Sequence, residues 1–142
     1  MPIKDYTTKI DVYTTIGQIQ GTLVKHGARR IMQEYDSEGV PQTLCFEIET
    51  PYGFRAIRLP ARVEGVQSTF QRDKVRADIA QAQRTAWRII KDWVDAQMAF
   101  IDSMMTSMEE IFLPYMIGDD NLTVFEMYKN QQLMLKGDNN AE

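Results

Sequence analysis

Between Arg29 and Leu59 apolar and polar positions alternate with a period of two, the pattern of strands buried on one face. The clearest stretch, Thr43–Glu49, puts Leu44, Phe46 and Ile48 on one face and Cys45, Glu47 and Glu49 on the other. A turn at Asp36–Gly39 precedes it. After it, Pro51-Tyr52-Gly53 reverses the chain, because proline presets φ and glycine tolerates a positive one, and Phe54–Leu59 forms the next member of an antiparallel meander. Upstream, Tyr6–Tyr13 alternates imperfectly and reads as a short first strand, which makes about four strands in all. Thr15 and Gln18 then have the spacing of a capping box, and Ile16, Ile19, Leu23 and Val24 follow at helical spacing up to a stop at Gly27. Gly17 and Gly21 weaken this short helix unless they let a neighbour approach closely.

No Pro or Gly interrupts residues 66–113, which read as one long helix. Two apolar seams run along it. One passes through Val75, Ile79, Ala82, Ala86, Ile89, Trp93, Ala96 and Phe100; the other passes through Trp87, Ile90, Val94, Met98, Ile101, Met105, Met108 and Phe112. A sheet needs only one stripe of its covering helix, so the second is expected to meet another helix, in the same chain or in a second subunit. This assigns Trp87, Ile90, Val94, Met98, Ile101 and Met105 to a homo-oligomer interface. Leu113-Pro114 ends or bends the rod. Thr123 and Glu126 form a second capping-box pattern, opening a final helix with Val124, Met127 and Tyr128 inward and an end near Gly137; residues 138–142 are expected to fray. The predicted architecture is α+β: an antiparallel sheet of about four strands on one long helix, with a short N-terminal and a C-terminal helix, as one domain over residues 1–137.

The 142 residues are 44% hydrophobic and 25% charged, an ordinary globular composition that excludes a disordered chain or a collagen-like repeat. One cysteine, Cys45, permits no internal disulfide, and with a single histidine, His26, no zinc site of the usual kind assembles in one chain. No apolar run approaches the length of a membrane span, so a cytoplasmic protein without membrane contact is expected. The net charge of −4 is unevenly spread: residues 1–52 carry −2, residues 53–91 carry +6 and residues 92–142 carry −8. The basic middle either attracts a polyanion or pairs with the acidic last third.

Nucleophile triads fail on inventory, and neither a phosphate-binding P-loop nor a dinucleotide glycine motif occurs. His26, beside Gly27, reads as a capping or surface residue; Cys45 reads as a half-buried, inert thiol. Glu47 and Glu49, about 7 Å apart on one strand face, are spaced to share a divalent metal, the only opening for a hydrolase, although pairing with Arg55 and Arg58 is the simpler expectation. Glu109-Glu110 and Asp119-Asp120 read as solvated acids. No cofactor is expected. The basic middle is the stronger lead: Arg55, Arg58 and Arg62 lie on or just after a hairpin, Arg84, Arg88 and Lys91 share a helix face, and Tyr52 is placed to stack on an unpaired base.

Two blocks carry a resemblance: Glu47–Val63, which includes Pro51-Tyr52-Gly53-Phe54, and Ala86–Met98 with its two tryptophans running on to Ile111–Met116. Together they resemble a group of small uncharacterised proteins of bacteriophages and integrated mobile elements, over roughly residues 1–116. The resemblance implies a setting inside a bacterial host cell and brings no activity or site residue. The expected function is that of a non-enzymatic accessory protein binding DNA or RNA as a homo-oligomer. The alternative is a protein that inhibits or sequesters host machinery through its acidic last third.

Overall fold

The structure, a computed structural model, describes residues 2–131 and 135–137. It is α+β, with a three-stranded antiparallel sheet and five helices. The order along the chain is α1 (Val12–Lys25), β1 (Arg29–Tyr35), β2 (Pro41–Thr50), β3 (Gly53–Pro60), α2 (Val63–Arg72), α3 (Ile79–Asp102), α4 (Met108–Phe112) and α5 (Val124–Lys129). The sheet order is β1-β2-β3. The expected fourth strand is absent among the described residues. Residues 4–7 form a turn, and the free edge of β3 is met instead by a single bridge, Met116 to Ile57, while the Ile117 N–H donates to the Ala56 carbonyl at 2.9 Å.

The inner sheet face presents Leu44, Phe46, Ile48, Ile57 and Leu59. Against it pack Ile16, Ile19 and Leu23 of α1, Trp87, Val94 and Met98 of α3, and Phe112 of α4, in one continuous core. Phe112 meets the edge of Phe46 at 5.2 Å and of Trp93 at 5.8 Å between ring centroids. Such edge-to-face pairs add about 0.5–1.5 kcal/mol each to the burial itself. No helix among the described residues is long and apolar enough to cross a membrane.

Helix starts and stops differ from the pattern reading in three places. Asp11, not Thr15, caps α1, its Oδ2 accepting from the Tyr13 N–H at 2.9 Å, and Thr15 is buried inside the helix. The long helix is three helices. Both breaks are Schellman closures of the kind that also ends α1, where Ala28 N–H donates to Leu23 and Gly27 N–H to Val24. At the end of α2, Val75 donates to Phe70 and Lys74 to Gln71; at the end of α3, Met105 donates to Phe100 and Met104 to Ile101. The left-handed position is Gly27 in the first case, but Lys74 (φ 57°) and Met104 (φ 61°) in the others. Asp78 and Ser107 cap the helices that follow. Because αL is disfavoured for residues with a Cβ, neither break announces itself by composition. The final helix opens with the expected capping box at Thr123 and Glu126 but ends at Lys129 with Tyr128 exposed; residues 132–134 and the expected tail, 138–142, lie outside the described residues.

The α1 and α3 ends are latched by His26. Its Nδ1 lies 2.8 Å from the Thr22 carbonyl and its Nε2 3.0 Å from Asp102 Oδ1, so both ring nitrogens face acceptors and the imidazolium satisfies both. The Thr22 hydrogen bond first, then Asp102, raise the His26 pKa above its ordinary value, against a lowering by burial.

A Cβ at Gly17 or Gly21 meets nothing within 4 Å, so the glycines serve no close approach. Gly17→Ala and Gly21→Ala should each raise unfolding free energy by ~0.5–1 kcal/mol in urea denaturation, and Lys74→Gly and Met104→Gly by up to about 1 kcal/mol through relief at αL. The His26 latch has a folded pKa above the unfolded 6.5, so its contribution is complete below that value and fades as pH rises through the folded one. His26→Gln should therefore lower the melting temperature at pH ~5.5, by the equivalent of less than about 1 kcal/mol because Asp102 is exposed, and the deficit should shrink by pH ~9.

Candidate nucleic-acid interface

Residues 2–11 form an arm laid along α3. Thr85 Oγ1 donates to the Asp5 carbonyl at 3.0 Å, and Gln81 Nε2 and Arg84 Nε donate to the Thr8 carbonyl at 2.9 and 3.3 Å. Lys4 pairs with Asp92 at 3.4 Å. Asp5 and Asp92 lie side by side. Burial, then the hydrogen bond and charge of Asp92, raise the Asp5 pKa; on Asp92 burial is outweighed by the bond from Asp5 and by Lys4 and Arg88, which lower it. The arm thus reaches α3 by polar contacts, with α3 donating to the arm's carbonyls and Lys4 of the arm meeting Asp92 of α3.

The six cations singled out in the sequence do not form one belt. Arg58 donates to the Asn121 carbonyl (3.1 Å) and Oδ1 (2.8 Å) and stands 3.8 Å from Glu126. Arg58 and Arg62 line one surface pocket with Tyr115, Phe125 and Glu126. The Glu126 carboxylate is pulled below its usual range first by the Thr123 backbone and then by Arg58 and Arg62. Here the acidic last third does pair with the basic middle. Arg55 donates to the Phe54 carbonyl, and Lys91 is paired with Asp95 one turn on. Tyr52 is 77% exposed at the hairpin turn; Phe54, half-exposed, lies under the Arg29 guanidinium at 5.8 Å.

On the first half of α3 the arrangement differs. Arg84 Nη2 donates to Gln81 Oε1 at 2.6 Å, with Nε on Thr8; Arg88 donates to Gln18 Oε1 at 2.7 Å and approaches Thr15 Oγ1 at 3.4 Å. All these acceptors are neutral. They fix the Arg84 guanidinium in place without cancelling its charge, whereas Arg88 also acts on the Asp5 and Asp92 carboxylates. Arg84 is also joined by two cations that the sequence pattern does not single out, Lys9 and Arg76. With Ala77, Asp78 and Gln81 the three line an open cleft of about 280 Å³. Neither Lys9 nor Arg76 has a hydrogen-bond or ion-pair partner among the described residues. The Asp78 carboxylate in the cleft is engaged in capping α3 through the Gln81 N–H at 2.9 Å. Lys9 gives no signal in the sequence because its segment alternates like a strand.

The residues assigned to an oligomer interface are placed in the core of the single chain. Trp87, Val94 and Met98 are buried, Ile90 and Ile101 pack on the core, and of the six only Met105 is exposed. The surplus stripe is met by α1 and the sheet, so its burial requires no second subunit. Glu47 pairs with Arg30 at 3.3 Å, Glu49 is exposed, and among the described residues no group of three or more His, Cys, Asp or Glu could hold a metal ion. The Cys45 thiol donates to Glu34 at 3.6 Å, and burial, then the Glu34 carboxylate, push its pKa up, away from thiolate chemistry. The cleft beside Arg84 brings three cations, Lys9, Arg76 and Arg84, together with the single carboxylate of Asp78. No family model, curated protein or solved structure matches the chain.

Proposed function

We propose that this chain is a binding protein for nucleic acid, and that the phosphate backbone is taken in the cleft of Lys9, Arg76 and Arg84. The observation that carries this reading is the kind of acceptor each cation has. Arg58 has Glu126 at 3.8 Å and Arg88 acts on the Asp5 and Asp92 carboxylates, whereas Arg84 is held by the Thr8 carbonyl and the Gln81 amide oxygen, and Lys9 and Arg76 stand free of partners among the described residues. A guanidinium anchored on neutral groups keeps its full charge and has given up part of its side-chain freedom before a ligand arrives, so binding a phosphate costs less ordering. The resemblance to phage and mobile-element proteins supports a setting in which such a ligand is at hand. The competing reading, a protein docking through the acidic last third, is weakened by the use of Glu126 and Asn121 to hold Arg58.

Fluorescence anisotropy with a labelled strand of about 20 nucleotides, from ~50 to ~200 mM KCl, tests the proposal. Affinity should fall steeply with salt. Lys9→Gln with Arg76→Gln should weaken binding and reduce the slope of log affinity against log salt by about 0.7–0.9 for each phosphate no longer neutralised. Arg58→Gln should leave the slope unchanged. Absence of binding at the lowest salt, or an equal weakening by the Arg58 and the Lys9/Arg76 substitutions, would overturn it.

A further inference from the structure

Arg84 is a wall between two cavities of opposite character. On one side lies the basic cleft. On the other is a pocket of about 270 Å³ between the start of α1, the β1–β2 turn and α3, walled by Val12, Tyr13, Pro41, Gln83 and Arg84 and closed at its inner end by Trp87. The pocket is mostly apolar, with one amide, Gln83, able to donate and accept. It falls just under the ~300 Å³ at which pockets for drug-sized ligands begin, a size suited to a single ring system. Tyr13, at its mouth, is 54% exposed. Asp11 also lines it, with Arg84 as the one cation opposite, so the pocket is a poorer place for a phosphate than the cleft, where three cations face the single carboxylate of Asp78. The phosphate belongs on the far side of Arg84, with Lys9 and Arg76.

We infer that the two cavities together take one nucleotide unit of a single strand: an unpaired base enters the Tyr13–Gln83 pocket while its phosphate lies in the basic cleft, with Arg84 serving both. The inference rests on the nucleic-acid reading and narrows it to single strands, since a base within a duplex stack cannot enter a pocket without being flipped out. A planar apolar ring attached to an anion is the chemistry that these adjoining cavities fit, and stacking on an exposed tyrosine is indifferent to base identity. Arg84 Nε and Nη2 are engaged by Thr8 and Gln81, whereas Nη1 has no acceptor among the described residues and remains to meet the ligand.

The test compares a short single strand, the same strand with abasic positions, the corresponding duplex and a free mononucleotide. Anisotropy reports affinity, and in a Trp93→Phe background the emission of Trp87, then the one remaining indole, reports occupancy of the pocket. The single strand should bind about 5-fold or more tighter than the abasic strand and the duplex, and should alone shift Trp87 emission. Tyr13→Ala should remove that advantage without changing abasic-strand affinity, and Tyr13→Phe should restore it; Gln83→Ala should narrow it. Equal binding of intact and abasic strands, with affinity still reduced by Lys9/Arg76 substitution, would overturn the inference and leave the nucleic-acid reading standing. A mononucleotide that binds as tightly as the strand would overturn it in favour of a free-nucleotide site. Binding of none of the polymers would remove the reading on which it rests.

Discussion

The burial of α3 on two sides governs the rest of this structure. Trp87, Val94 and Met98 fill the space between the inner sheet face and α1, while Gln81 and Thr85, also buried, turn to the N-terminal arm. A helix so enclosed has little surface left for solvent, and its long polar side chains emerge at the seams between elements. Arg84 and Arg88 do this, their apolar stems covered and their charged ends caught by the arm and by α1. The position of the basic groups is therefore a by-product of packing, fixed by the same interactions that make the core.

Charge in the chain is settled locally. The acidic last third returns to β3 and compensates Arg58 and Arg62, and Lys91 finds Asp95 one turn away. These pairs are of the exposed or half-exposed kind that stabilises little, so their main effect is on the surface potential. Near the start of α3, Lys9 and Arg76 join Arg84 around a cleft with the Asp78 carboxylate. A mildly acidic protein thus gathers three cations in one place, and exposed charges are felt over about a Debye length, ~8–10 Å.

Much of the fold is legible in the sequence, and the departures share a cause. Period-two alternation locates the three strands and the buried face of Leu44, Phe46 and Ile48, because a half-buried sheet imposes that pattern directly. The capping box at Thr123 and Glu126 is legible for the same reason: the side chains that identify it also make it. The breaks in the long helix are not, since Lys74 and Met104 occupy conformations that composition associates with glycine, and only the capping residues Asp78 and Ser107 hint at new starts. The arm imitates a strand because Ile10 and Val12 alternate as strand residues do; the hydrogen bonds that hold it come from α3, more than seventy residues away. Arg84 is legible as a candidate. Lys9, Tyr13 and Gln83 are not, as nothing local marks a residue that matters through a neighbour distant in sequence.

The same separation bears on when the cleft comes into being. Thr8 and Arg84 are joined across a sequence gap of 76 residues, and Thr85 and Asp5 across 80. Pairings that close loops of this length need the intervening chain to be synthesised and largely ordered first. On the ribosome the nascent protein carries all three meander strands before Arg84 emerges, and its cleft stays unassembled until α3 can grip the arm. The grouping of Lys9 and Arg84 in one cleft is thereby confined to molecules that have finished folding.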